Sequence, residues 1–135
     1  MSDAALAAPA SPTADERTLA LLAHALSFLE GGILGPLLLY FLRKEAMKIF
    51  PKLKAMEDSE FVAFHSLQSL YFGLLFAALA VLVGLPTFGF GLLVLVPAYL
   101  LFELIACVKA NGGEWYRLPV VGDWAAAQHP PPPGR

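Results

Sequence analysis

The sequence predicts an all-α integral membrane protein of three to four hydrophobic helices plus a basic amphipathic surface segment. Hydrophobic residues make up 58% of the 135 residues and charged ones 15%, well below the roughly 25% charged of an ordinary soluble domain. Between Glu60 and Glu103 there is no Asp, Glu, Lys or Arg. A small water-soluble domain has too much surface to hide such a run, whereas lipid accepts it. Clusters of Gly and Pro divide the apolar stretches into lengths suited to single helices.

Residues 1–16, rich in Ala and Pro and ending in acidic residues, read as a disordered N-terminal tail. Thr13 or Asp15 is placed to cap the helix that follows. The tail lacks the basic start and immediate apolar core of a cleavable signal peptide, so targeting is expected to rest on the spans. The helical membrane domain is expected over residues 17–124. Its first apolar segment, Leu19 to Leu42, would be about 36 Å long as one helix, enough to span. Glu30-Gly31-Gly32 and Gly35-Pro36 interrupt it. The expectation is a first helix broken there, with pieces at about 17–29 and 36–50, the second beginning at Pro36.

Arg43 to Glu60 carries Ala46, Ile49, Phe50 and Leu53 at helical spacing and Lys44, Lys48 and Lys52 on another side. This is a basic amphipathic stretch for the membrane surface, divided by Pro51. Asp58 and Ser59 then offer an N-cap for a helix at about 59–83. Gly84 to Gly89 marks a reversal, and a last helix at about 90–110 contains Pro97. Asn111-Gly112-Gly113 ends it, with a glycine free to turn left-handed. Trp115 and Tyr116 are expected in an aromatic belt at the headgroups. Residues 125–135 read as an extended Pro-rich tail.

The basic residues set the expected orientation. Arg43, Lys44, Lys48, Lys52 and Lys54 place loop 43–60 in the cytoplasm of a bacterial-type inner membrane, with the C-terminus on the same side. Two topologies stay open for segment 19–42. A single crossing puts the N-terminus outside, and a re-entrant pair puts it inside.

Several motifs together carry a family resemblance. They are Glu16-Arg17-Thr18 with Leu22-Ala23-His24, Gly35-Pro36 before Leu37 to Tyr40, Phe61 to Gln68, and Lys109 to Pro119. Their order resembles the bacterial Tic20-like membrane family of unknown function, distantly related to the twenty-kilodalton subunit of the chloroplast inner-envelope import translocon. The resemblance implies a helical membrane domain over about residues 16–120 and supplies no activity. A basic insertion at Ile49–Met56 departs from its pattern.

The polar residues inside apolar segments are the candidates for chemistry. Glu30, His65, Gln68 and Glu103 are the intramembrane polar positions, and each must face protein or water. Glu30 is placed either as an ion or proton site or as a polar residue in the helix break. Glu103 shares a helix face with Tyr99 and Cys107, and His65 is its expected partner. His65 and Gln68, three apart, either line a path or hydrogen-bond another helix. Ser66, Ser69, Gly73, Ala77, Ala80 and Gly84 form a ridge of small residues for close helix packing. Lys109, Asn111, Gly113, Glu114, Tyr116 and Arg117 form an interfacial motif that stops and anchors the last helix. His24, His65, Glu30, Glu103 and Cys107 lack the spacing of a metal site. No nucleophile or phosphate-loop motif is present.

These features point to a non-enzymatic accessory or scaffold protein without a cofactor. Its expected partners are the bilayer and either a second copy or another membrane protein, and a net charge of −2 gives no nucleic-acid footprint. An oligomeric channel or translocation component is the alternative, and a membrane enzyme using His65 and Glu103 is a further one.

Overall fold

The structure, a computed structural model, describes residues 10–30, 33–38, 40, 41 and 59–134. The described residues are helical with intervening turns and extended segments. The elements are α1 (Ala14–Glu30), α2 (Glu60–Gly84), α3 (Leu92–Asn111) and α4 (Val121–Gln128). Residues 34–38 and 40–41 are also helical. The Glu30 side chain, Gly31, Gly32 and residues 42–58 lie outside the described set. The expectations for Glu30, for the basic stretch and for most of the 36–50 helix fall there.

α1 begins where its capping chemistry places it. The Thr13 N–H donates to Glu16 Oε2 (2.7 Å), and the Glu16 N–H donates to Thr13 Oγ1 (3.2 Å). This is a reciprocal capping box. It draws residues 14–16 into the helix and shortens the expected tail. With 17 residues α1 is about 25 Å long, short of the ~30 Å hydrocarbon thickness. Helical structure resumes at residue 34 after a bend at Ile33. The chain then turns back: Ile33, Leu37 and Tyr40 pack on Phe64, Leu67, Leu70 and Ala125. The Tyr40 hydroxyl meets His129 Nε2 at 3.2 Å, and His129 Nδ1 meets Glu60 Oε2 at 2.7 Å. Tyr40 therefore lies at the same end of the bundle as the start of α2.

α2 and α3 are long and apolar enough to cross a membrane. Ser59 caps α2, its side chain accepting from the Val62 N–H. α1 packs on both long helices more extensively than they pack on each other. The packing divides α2 in two. Phe61 to Leu70 are all buried, while Leu74, Val81 and Leu82 are exposed. α3 buries Tyr99, Glu103, Ala106 and Ala110 and exposes Leu93, Val94, Leu101, Leu104 and Val108. In the ridge of small residues, Ser66, Ser69, Gly73 and Gly84 are buried, and Ala77 and Ala80 are half-buried.

α3 ends in a Schellman motif. The Gly113 N–H bonds the Ala110 carbonyl, the Glu114 N–H bonds the Lys109 carbonyl, and Gly113 takes φ +77°. Residues 114–118 then run extended alongside α2. Trp115 is half-buried and packs on Phe61 and Phe64, with ring centroids 5.3 and 5.2 Å away. The exposed tryptophan is Trp124.

The expected tail at 125–135 is corrected by α4, which runs through Gln128. Ala125, Ala126 and Ala127 are strong helix formers, and Asp123 sits in the first turn, where the helix dipole favours a carboxylate. Burial of Val121 and Ala125 fixes the helix on α2, and Gln128 donates to the Tyr71 hydroxyl. The prolines end the helix; they do not abolish it. Gly122 lies so close to Arg117 that an added Cβ would be 2.6 Å from Arg117 Cβ and 2.7 Å from its Cα. Gly122→Ala is expected to displace the start of α4 and lower stability by about 1–3 kcal/mol. Denaturant titration in mild detergent, followed by the fluorescence of Trp115 and Trp124, measures it.

Candidate functional site

α1, α2 and α3 meet at a polar array buried in apolar surroundings. His24, Ser27, His65, Ser69 and Glu103 all have zero exposure. His24 Nδ1 lies 2.7 Å from Glu103 Oε2, and His24 Nε2 lies 3.1 Å from His65 Nδ1. His65 Nε2 lies 3.0 Å from the Glu114 carbonyl oxygen. Ser69 Oγ donates within reach of Glu103 Oε1 (3.3 Å) and the Ala23 carbonyl (3.2 Å), and it meets Ser27 Oγ. The Tyr99 hydroxyl is buried beside Ser27 and Glu103 without a hydrogen bond of normal geometry.

With His65 neutral, these contacts set the proton inventory. A carbonyl only accepts, so His65 Nε2 carries the proton it donates to Glu114. A neutral His65 then accepts at Nδ1, which makes His24 Nε2 a donor. One proton remains between His24 Nδ1 and Glu103 Oε2. Whether it sits on nitrogen or oxygen, the pair is neutral as a unit, and every atom along the line has a partner. The array is therefore a closed polar clasp on three helices.

The expected His65–Glu103 pair is replaced by a line with His24 in its middle. α1 carries His24 into the space between the two long helices, so each reaches His24 before the other. His24 and Ser27 received no such role from the sequence. Their signal was their spacing, three apart in the otherwise apolar run Leu19–Leu29, which puts both on one face. His24, His65 and Glu103 do not surround a common point, and Cys107 Sγ points to the Leu21 carbonyl at 3.8 Å. Among the described residues, no such group is placed to hold a metal ion.

Gln68, one turn beyond His65, does a related job. Its Nε2 donates to the Tyr116 carbonyl (3.0 Å), and its Oε1 accepts from the Leu118 N–H (2.9 Å). His65 and Gln68 thus fasten the extended 114–118 segment through Glu114, Tyr116 and Leu118. In the rest of the interfacial motif, Lys109 pairs with Glu114 at 2.9 Å and Arg117 with Asp123 at 2.9 Å. Both pairs are exposed and worth little individually.

Comparison with known proteins sets this site in a family. The model of the magnetosome magnetite crystal formation protein family, MamF/MmsF, matches residues 15–125. The chain belongs to this family. The match runs from α1 into α4 and includes every residue of the clasp. A UPF0132 membrane protein of Archaeoglobus fulgidus is 35% identical over 108 residues, covering 78% of this chain and 91% of that relative. No solved structure matches. The MamF/MmsF match overturns the Tic20-like resemblance: the motifs quoted for it, Glu16 to Pro119, fall within that match. The likeness to the UPF0132 membrane protein, together with the two long apolar helices, makes this a membrane protein.

Two outcomes follow for the clasp. Glu103→Gln keeps a donor for His24 Nδ1 and an acceptor for Ser69, so it is expected to cost less than about 1 kcal/mol, whereas Glu103→Leu strands both and costs about 1–3 kcal/mol. Reversible unfolding in mixed SDS and mild detergent separates the two. Gln68→Leu leaves the Leu118 N–H unpaired and frees the segment, so trypsin is expected to cut after Arg117 several-fold faster than in the unaltered protein.

Proposed function

We propose that the chain is a non-enzymatic scaffold subunit of a bacterial-type inner membrane, inserted from the cytoplasmic side. The observation that carries this reading is that the polar array ends halfway and, the Tyr99 hydroxyl aside, pairs its own groups. Ser69 lies nine residues into α2, about 14 Å from its start. From Leu70 to Ala98 the only side chains able to hydrogen-bond conventionally are Tyr71 and Thr87. Tyr71 accepts from Gln128 back at the α4 level, and Thr87 is satisfied within its own turn. A path for ions or protons would need polar groups in that far half. The groove between α2 and α3, about 200 Å³, is walled by apolar residues such as Phe72, Phe76, Leu95 and Phe102, with Tyr99 the one lining side chain that carries a polar group.

The topology in this reading is a re-entrant first segment. Arg17 packs on Gly113 at the end of α3, and Tyr40 is bonded to His129 and so tied to Glu60. The chain therefore enters at residue 17 and is back at the same level by residue 40, which keeps the N-terminus with loop 43–60 and the C-terminus in the cytoplasm. The family description, magnetosome magnetite crystal formation, directs the search for partners to the membrane proteins around a mineral-forming compartment.

Affinity capture from gently solubilised membranes is expected to retrieve a stoichiometric membrane-protein partner or a second copy. Liposomes carrying the chain are expected to pass protons no faster than empty ones. A chain that stays alone in several mild detergents, or a leak that Glu103→Gln alters, overturns the scaffold reading.

A further inference from the structure

We infer that the turn joining α2 to α3 ends inside the acyl chains of the far leaflet and does not emerge into water. The partner of this surface is lipid.

A turn facing water leaves N–H groups to the solvent, but in hydrocarbon each must find a partner in the chain. Here the N–H of Leu85 bonds Val81 O at 3.2 Å, Thr87 bonds Val83 O at 3.3 Å, Phe88 bonds Leu85 O at 3.3 Å, Gly89 bonds Gly84 O at 2.7 Å and Phe90 bonds Thr87 O at 3.0 Å. Gly91 N–H bonds Thr87 Oγ1 at 2.9 Å, and the Thr87 hydroxyl itself donates to Val83 O at 2.6 Å. Leu92, Leu93 and Val94 close on Gly89, Phe90 and Gly91. Pro86 has no N–H to satisfy. Every backbone N–H from Leu85 to Val94 is thus paired without water, while the carbonyls of Leu82, Pro86 and Phe88 accept no N–H among the described residues.

Turns are written with Gly, Pro, Asn, Asp and Ser; this one uses Gly and Pro but no Asn, Asp or Ser, and displays Leu85 (74% exposed), Phe88 (94%) and Phe90 (75%). Leu82, Leu93 and Val94 widen the same apolar cap.

The polar surface of the other end reaches down to Tyr71, where Gln128 donates to its hydroxyl from α4, a helix that exposes Asp123. With the near hydrocarbon edge set at that level, the about 20 Å that α2 adds from Phe72 to Gly84 ends past the midplane of a ~30 Å hydrocarbon layer and short of its far edge.

The test uses the full chain in phosphatidylcholine–phosphatidylglycerol vesicles. In a Cys107→Ser background, Phe88→Cys and Gln128→Cys are each exposed to a membrane-impermeant maleimide, with the vesicles opened by freeze–thaw so that it reaches both faces. The Gln128 variant is expected to label, and the Phe88 variant to label at least about tenfold more slowly until SDS is added. In parallel, Phe88→Trp is placed in lipid brominated along the acyl chain. Its emission is expected to be quenched beyond that of the unaltered protein, whose Trp115 and Trp124 lie at the other end. Equal labelling of the two cysteines means the turn stands in water and overturns the inference. Protection of Phe88→Cys without quenching of Phe88→Trp means that protein covers the turn, and overturns it as well.

Discussion

A buried imidazole held between a carboxyl group and a second imidazole is the constraint on which the bundle depends. In an apolar environment each unpaired donor or acceptor is costly, so the helices must approach until His24 reaches Glu103 on one side and His65 on the other. This explains why α1, too short to span, is wedged between two helices that are long enough. Individual hydrogen bonds between membrane helices average only about 0.6 kcal/mol. The array gains its importance from closure, because removing one member strands its neighbours.

The molecule is uneven along its length. The end bearing Glu60, Lys109 and α4 contains the polar array, the ion pairs and most of the aromatic packing. The opposite end is two apolar helices and their turn. The fold-specific information is concentrated where three helices and an extended segment meet, and the remainder needs only to suit its surroundings.

Much of this division was legible in the sequence. The charge-free run from Glu60 to Glu103 and the turn formers at Gly84 to Gly89 delimit α2 and α3 closely, because span length and backbone breakers act locally. Gly113 likewise declared a left-handed stop. What was not legible depended on tertiary proximity. His24 looks like an isolated polar residue until α1 is set between its neighbours, and the missing knowledge of that placement produced the pairing of His65 with Glu103. α4 was hidden by its prolines, since the burial of Val121 and Ala125 that stabilises it comes from α2. The family assignment failed for a related reason. Short motifs such as those around His65 and Gly113 record helix docking and helix termination, needs that many small membrane bundles share.

Gln68 has a consequence of its own. Its amide offers one donor and one acceptor to alternate positions of an extended chain, as the edge of a neighbouring β-strand would. A helix has no free backbone edge, so the side chain acts as a one-residue template that sets the register of residues 114–118. A slip by one position would face the template with the groups that Trp115 and Arg117 present to the opposite side, and would swing Trp115 off the Phe61 and Phe64 rings. One amide thereby decides which residues of the segment turn inward, and from what point α4 must start.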